Sequence, residues 1–148
     1  MSSENCFLLL GKTGIGKSTL AKILSENQSI KIGNSLESET QESNTYDCHF
    51  GDFKYSVIDT PGYDDSNGND AKNYSCIKQY LTSSSHNIKG IVLLFSFQDT
   101  RFGESHRKGL EKIVNLIPLD DFWSYVTIIF TKTFWDDPDE LLELKEKK

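Results

Sequence analysis

One glycine-rich segment constrains the fold of this chain more than any other. Residues 8–24 read LLLGKTGIGKSTLAKIL, and residues 11–18 match the pattern G-x-x-x-x-G-K-S/T. An apolar run precedes the pattern, and Leu20, Ile23 and Leu24 follow it at the spacing of one buried helix face. A strand, a tight loop and a helix in this order are typical of a loop whose backbone N–H groups surround phosphates. The segment therefore predicts nucleotide binding.

Two side chains of this phosphate loop and the helix after it have expected roles in binding the nucleotide. Lys17 would contact the outer phosphates, and the Ser18 hydroxyl would ligate Mg²⁺. The N-terminus of the following helix adds a partial positive charge that favours the same anion. The candidate nucleotide-binding residues of the loop are Gly11, Lys12, Thr13, Gly14, Ile15, Gly16, Lys17, Ser18 and Thr19.

A second motif separates the classes of nucleotide-binding protein. In YSVIDTPGYDD, the residues Asp59-Thr60-Pro61-Gly62 follow a strand pattern, so Asp59 is expected to hold Mg²⁺ opposite Ser18. The Gly62 N–H would donate a hydrogen bond to the γ-phosphate. The loop beyond Gly62 would become ordered when the γ-phosphate is bound and would be released when it is lost. A metabolite kinase would need an arginine-rich lid, yet the chain has only Arg101 and Arg107. A transport ATPase would need an L-S-G-G-Q signature, which the chain lacks. The two motifs together favour a nucleotide-dependent switch.

Such a switch also needs a threonine that completes the Mg²⁺ shell in the triphosphate state. The polar segment before the second strand offers Thr40, in ESETQE, and Thr45, in SNTYD. The spacing to Asp59 favours Thr40 as the third metal ligand. For either residue, ordinary loop polarity is the alternative interpretation.

The composition of the chain indicates which class of partner it binds and in which cell compartment it is found. The 148 residues carry a formal net charge of -6 without a Lys/Arg cluster, which argues against a nucleic-acid partner. Three cysteines without C-x-x-C spacing are typical of a reduced, intracellular protein. The longest apolar runs, IVLLF and FLLL, are too short to span a bilayer, and no signal peptide precedes Cys6. We therefore expect a cytoplasmic protein, peripheral at membranes through its partners.

Apolar strand patterns and helix patterns alternate along the chain, which predicts a mostly parallel α/β sandwich formed by one domain, residues 1–148. The exception to the parallel order is a hairpin around Gly51-Asp52. Strands are predicted over 5–10, 45–50, 53–59, 90–97 and 125–131, and helices over 17–25, 71–81, 102–117 and after Pro138.

The segments GKTGIGKST, ESETQE, VIDTPGYDDS and DTRFGESHRKGLEKI resemble the avirulence-induced-gene or immunity-associated nucleotide-binding GTPases. That family is a septin-like branch related to the chloroplast import-receptor GTPases. The resemblance spans about residues 5–133, and TRFGE, residues 100–104, is its narrowest signal. It implies a P-loop GTPase-type three-layer sandwich, GTP and GDP as ligands and Mg²⁺ as cofactor. It also implies a homodimer or oligomer formed through the nucleotide face, and membrane-associated effectors as in some relatives.

The base-reading motif departs from the family pattern. A typical GTPase carries N/T-K-x-D after its fifth strand, whereas TKTFWDD places Phe134 where the aspartate is expected. Lys132 would still cover the base, and Phe134 or Trp135 would stack on it. Asp136 or Asp137 would supply the missing carboxylate. Because stacking accepts any base, the guanine preference rests on the resemblance.

The carboxyl end of the chain is the second departure from the family pattern. A complete GTPase domain (G domain) adds a sixth strand and a closing helix after the fifth strand. The chain ends at Lys148, so strand 125–131 is expected at a sheet edge. A partner subunit, the acidic terminal helix or the rest of a longer protein would cover it.

The catalytic residues predicted from the sequence are Lys17, Gly62 and Arg101. Tyr63 stands where efficient GTPases carry a water-orienting glutamine, so unassisted hydrolysis should be slow. Arg101 in the TRFGE box would raise the rate if it reached the phosphates of a second copy across a two-fold axis. Its alternative is a surface ion pair with Asp99 or Glu104.

Three functions therefore remain in view. The first is a GTP-hydrolysing switch that self-association accelerates. The second is a nucleotide-dependent assembly module with little hydrolysis. The third is an ATP-using kinase, which survives only because the base motif is altered.

Overall fold

Strands and helices alternate along most of the chain in the computed structural model, which describes residues 5–26, 43–63, 70–83, 88–98, 103–117 and 120–132. In chain order they are β1 (Cys6–Gly11), α1 (Lys17–Ser25), β2 (Asn44–Phe50), β3 (Phe53–Asp59), α2 (Asp70–Ser83), β4 (Ile88–Ser96), α3 (Glu104–Leu116) and β5 (Val126–Thr131). A single 3₁₀ turn, Phe122–Tyr125, leads into β5. These elements agree closely with the predicted ones; the expected helix after Pro138 lies outside the described residues.

The five strands form one sheet in the order β2-β3-β1-β4-β5. β1 runs parallel to both β3 and β4, and β5 runs parallel to β4. β2 is antiparallel to β3, with Phe50 opposite Phe53 across the predicted hairpin turn. The mostly parallel sheet with one antiparallel hairpin strand is thereby confirmed. Because parallel strands need crossover connections, the helices between them cover the faces of the sheet.

The central strand β1 is buried on both faces, as its unbroken apolar run predicts. Leu8 and Leu10 pack in one core layer together with Ile113 of α3. Leu9 points to the opposite face and packs in a second layer with Ala21 of α1. This double burial fixes the end of β1, and therefore the start of the phosphate loop, between two packed layers.

The last described strand is an edge of the sheet, as expected. Ile128 and Phe130 of β5 are 53% and 59% exposed, so the described residues leave much of this strand's apolar surface open. The predicted acidic terminal helix, one of the three alternatives for covering this strand, lies outside the described residues. None of the helices in the described ranges is long and apolar enough to cross a membrane.

One helical glycine is required by packing. Gly109 of α3 lies against Tyr63, and a Cβ atom there would come 2.6 Å from Cδ2 of the tyrosine ring. The ring is 1% exposed and has no room to withdraw. The Gly109 carbonyl also accepts a hydrogen bond from the Tyr74 hydroxyl of α2 at 3.3 Å. Gly109 therefore sets the distance between α3 and the segment that follows β3.

We expect Gly109→Ala to destabilise the protein by about 1–3 kcal/mol, because the added methyl overpacks the Tyr63 ring. In an unconstrained helix the same change would stabilise by about 1 kcal/mol. Chemical denaturation measures the difference. Asn115→Ala, on the exposed side of the same helix, is the control and should leave stability equal or slightly higher. A Gly109→Ala protein as stable as wild type would contradict this packing.

Candidate functional site

The phosphate loop occupies the turn between β1 and α1, and its glycines meet backbone and packing demands there. Gly16 has a φ of 107° immediately before the first residue of α1, a conformation that side chains disfavour. At Gly11 a Cβ atom would come 2.9 Å from the Leu94 carbonyl oxygen. The Ile15 side chain is buried in the core, and the Ile15 N–H donates to the Lys12 carbonyl at 3.4 Å, which closes the turn of the loop. The predicted loop thus has the backbone form that its pattern requires.

Lys17 is 6% exposed and lies within the loop. Its ammonium donates hydrogen bonds to the carbonyls of Gly11 at 3.1 Å and Lys12 at 2.9 Å. Burial lowers the pKa of Lys17 to about 8, and the nearby charge of Asp59 opposes part of this effect. The loop therefore holds a desolvated cation that an incoming phosphate would stabilise in its charged form.

Ser18 and Asp59 meet directly, as the two motifs predicted. The Ser18 hydroxyl donates a 2.6 Å hydrogen bond to Oδ2 of Asp59, across 41 residues of sequence. Asp59 is 1% exposed, and burial raises the pKa of its carboxyl despite the Ser18 bond and the Lys17 charge. Its second oxygen, Oδ1, is buried and has no hydrogen-bond partner among the described residues. An adjacent hydroxyl and carboxylate with an unsatisfied oxygen suit a hard cation such as Mg²⁺.

Two threonines tie the site together, and the sequence interpretation assigned this role to neither. The Thr60 hydroxyl donates to the Leu9 carbonyl at 2.7 Å, which pins the end of β3 to β1. The Thr131 hydroxyl lies 2.7 Å from the Ile15 carbonyl, which joins the end of β5 to the phosphate loop. Both threonines sit at a strand end beside a recognised motif, and that position is the signal that would have found them.

The segment after Asp59 continues alongside the phosphate loop. The Tyr63 N–H donates to the Gly11 carbonyl and the Thr13 N–H donates to the Tyr63 carbonyl, both at 3.3 Å. Gly62 touches the loop so closely that a Cβ atom there would overlap the amide nitrogen and hydroxyl of Thr13. From the other side, the buried Asn73 side chain of α2 donates to the Gly62 carbonyl at 2.7 Å. Gly62 is thus held beside the phosphate loop, and its contact with the γ-phosphate stays a prediction.

Tyr63 lies deeper than its place after the D-T-P-G motif suggested. The residue is 1% exposed, and its ring packs in the core layer on the α3 side of the sheet. The sequence interpretation treated it as a poor substitute for a water-orienting glutamine. The structure gives it a packing role, since the ring fills the space above Gly109.

The remaining predicted residues divide into described and undescribed ones. Lys132 follows β5 directly, is exposed and has a φ of 56°. It lies at the carboxyl end of the parallel strands, where Thr131 bonds to the phosphate loop. Thr45 is held in β2 opposite Ile58, within the sheet ladder. Thr19 is exposed on the first turn of α1. The predicted residues that lie outside the described ranges are Thr40, Asp99, Arg101, Phe134, Trp135, Asp136 and Asp137.

The sequence profile of the AIG1 family matches residues 5–144, nearly the whole chain. The chain belongs to the AIG1 family. The AIG1 chain is also 33% identical over 134 residues to GTP-binding protein A of Dictyostelium discoideum, covering 88% of this chain and 28% of that protein.

Solved structures share the fold of the AIG1 chain. Toc33 of Arabidopsis thaliana in complex with GDP and Mg²⁺ gives a TM-score of 0.76 at 20% identity, over 98% of this chain and 59% of that one. A structure of the chloroplast translocon components atToc33 and psToc159, for whose GTPase activity dimerisation is important, gives a TM-score of 0.76 at 20% identity, over 92% of this chain and 53% of that one. The AIG1 chain therefore has the P-loop GTPase fold, and it spans less than two thirds of each of these relatives.

We expect Asp59→Asn to abolish the stabilisation that Mg²⁺ adds to the GDP-bound AIG1 chain, because the amide is a weak ligand for a hard cation. In the absence of metal and nucleotide, the variant should remain folded, because its amide oxygen still accepts from Ser18, but it loses the charge that favours the buried Lys17 ammonium. Thermal unfolding with GDP, with and without Mg²⁺, measures both effects.

Asp52→Asn, in the exposed hairpin turn, is the matched control and should respond to Mg²⁺ like wild type. An Asp59→Asn protein that keeps the full effect of Mg²⁺ would exclude Asp59 as the metal ligand.

Proposed function

We propose that this AIG1 chain is a GTP-binding switch that binds GTP and GDP with Mg²⁺, hydrolyses GTP slowly and gains rate when two copies associate. The observation that carries the proposal is the 2.6 Å contact between Ser18 of the phosphate loop and Asp59 of the D-T-P-G segment. Lys17 lies buried next to them. Phosphate chemistry needs a cation site and a phosphate-facing ammonium side by side.

The residues of the site would divide the work between phosphate and metal. The Lys17 ammonium would exchange its contacts with the Gly11 and Lys12 carbonyls for phosphate oxygens. Ser18 and Asp59 would hold Mg²⁺, with Thr40 as the third ligand from the chain. The Gly62 amide would contact the γ-phosphate. Bound Mg²⁺ would neutralise charge that develops on the phosphates during transfer.

Preference for guanine is the part of the proposal that family membership supports most. The relative at 33% identity is a GTP-binding protein. A role of Lys132 in covering the base is supported by its position after Thr131, whose hydroxyl bonds to the phosphate loop. Phe134 or Trp135 would add stacking, and Asp136 or Asp137 would replace the carboxylate that the motif lacks.

Slow turnover and acceleration by a second copy rest on two observations. Tyr63 is buried in the core and supplies no amide that would orient a water at the γ-phosphate. Dimerisation is important for the GTPase activity of the translocon components that share this fold. Arg101 in the TRFGE box is the proposed source of positive charge across the two-fold axis. Of its alternative partners, Glu104 already pairs with Lys108 at 2.9 Å.

The burial of Tyr63 also favours a second candidate function, a nucleotide-dependent assembly module with little hydrolysis. Such a module would use bound GTP to shape its dimerisation surface. Turnover that stays near zero at all protein concentrations would distinguish it from the switch.

The proposed function predicts that a fluorescent GTP analogue binds at least about tenfold more tightly than the matching ATP analogue in the presence of Mg²⁺. It further predicts that GTP turnover per molecule rises with protein concentration. Fluorescence titration and phosphate release measure the two. Equal binding of both bases would reduce the assignment to a nucleotide-binding switch without guanine selectivity.

We expect Arg101→Ala to lower turnover at high protein concentration by about 10³-fold, toward the low-concentration rate, while leaving GTP binding unchanged. Arg107→Ala is the matched control, since Arg107 forms an exposed ion pair with Glu111 at 3.0 Å within α3. The control should retain turnover within about twofold, because exposed pairs of this kind contribute little. Equal turnover in wild type and Arg101→Ala at high concentration would remove the arginine from the mechanism.

A further inference from the structure

Two side-chain oxygens beside the phosphate loop are buried without a hydrogen-bond partner among the described residues. They are Oδ1 of Asp59 and the hydroxyl oxygen of Thr13. A buried polar atom without a partner is uncommon in folded proteins and costs stability, so each one calls for a physical explanation. Mg²⁺ would account for the Asp59 oxygen. The Thr13 hydroxyl needs a partner of its own, and unlike the carboxylate it can donate a hydrogen bond to an anion.

The backbone of Thr13 is fixed by the segment that follows β3. Its N–H donates to the Tyr63 carbonyl at 3.3 Å, and the Tyr63 N–H donates to the Gly11 carbonyl at the same distance. Tyr63 is itself fixed, since its buried ring packs against Gly109 of α3. The Thr13 amide is therefore already used within the protein. Only the side chain of this residue remains to meet a ligand.

The Thr13 hydroxyl lies beside one of the groups expected at the outermost phosphate. A Cβ atom on Gly62 would overlap the hydroxyl, so the two residues are in direct contact. The carbonyl of Lys12, the residue before Thr13, accepts a 2.9 Å hydrogen bond from the Lys17 ammonium, which brings that cation to the adjoining residue. Gly62 and Lys17 are the residues proposed to contact the γ-phosphate.

We propose that the Thr13 hydroxyl donates a hydrogen bond to a γ-phosphate oxygen and thereby selects the nucleoside triphosphate over the diphosphate. The role rests on the proposed function, because it requires GTP and GDP to bind at this loop. A hydroxyl that donates to a charged phosphate oxygen forms a stronger bond than one between neutral groups. A diphosphate brings no third phosphate to this position and leaves the hydroxyl without a partner.

The test compares Thr13→Val, which keeps the shape and β-branching of threonine, with Thr13→Ser, which keeps the hydroxyl. Affinities for GMPPNP and for GDP, each with Mg²⁺, are measured by calorimetry for both variants and wild type. We expect Thr13→Val to lose about tenfold in GMPPNP affinity while GDP affinity stays within about twofold. Thr13→Ser should retain the wild-type ratio of the two affinities.

Thermal unfolding of the nucleotide-free proteins supplies a second readout. Thr13→Val should melt no lower than wild type, since it removes a buried hydroxyl that has no partner in the described residues. Thr13→Ala, a second variant without the hydroxyl, carries the binding comparison if the valine protein does not fold. A wild-type ratio of GMPPNP to GDP affinity in a folded hydroxyl-free variant would overturn the role of Thr13 alone. A wild-type protein that binds neither nucleotide would overturn the proposed function and this role together.

Discussion

The parallel pairing of β1 with β3 is the constraint on which the site depends. The register places Leu9 opposite Asp59, so the phosphate loop and the D-T-P-G segment both begin at the carboxyl ends of these neighbouring strands and lie side by side. Carboxyl ends of neighbouring parallel strands are the usual place for ligand sites in α/β sheets. The hydrogen bond from the Thr60 hydroxyl to the Leu9 carbonyl stabilises this register at the carboxyl end of β3, next to Asp59. A slip of one residue would separate Ser18 from Asp59 and turn the core side chains of β3 to the opposite face.

The buried charged groups of the site destabilise the protein when no ligand is bound. Burial lowers the pKa of Lys17 to about 8 and raises that of Asp59, so each charged form is less favourable than in water. The unsatisfied oxygens of Asp59 and Thr13 add to this cost. Groups whose charged forms are destabilised cluster at functional sites because a ligand of the opposite charge relieves them. The same groups explain why phosphate and a divalent cation are the ligands that this edge of the sheet would accept.

Much of the fold follows from sequence pattern, because each element has a strong local signal. The apolar run of β1, the Gly51-Asp52 turn and the helix face of Leu110 and Ile113 are readable without tertiary information. The phosphate loop and the Asp59 motif could be predicted for the same reason, since their spacing fixes their backbone.

Features that depend on contacts between distant segments could not be predicted in this way. Tyr63 follows a motif, and its position suggested a place near the phosphates, but the space beside Gly109 decides where its ring lies. The bonds from Asn73 to Gly62 and from Thr131 to Ile15 likewise join residues that only the folded sheet and its helices bring together. The edge position of β5 was by contrast predicted, and its apolar side chains Ile128 and Phe130 are more than half exposed among the described residues.

Hydrogen–deuterium exchange shows whether residues 11–18 and 59–63 form one ligand site. Exchange is measured on the protein alone and with Mg²⁺ and GDP at saturation. We predict slower exchange in both segments on ligand addition, with the hairpin turn at Gly51-Asp52 unchanged. Unchanged exchange in residues 11–18, or protection confined to other parts of the chain, would contradict this prediction.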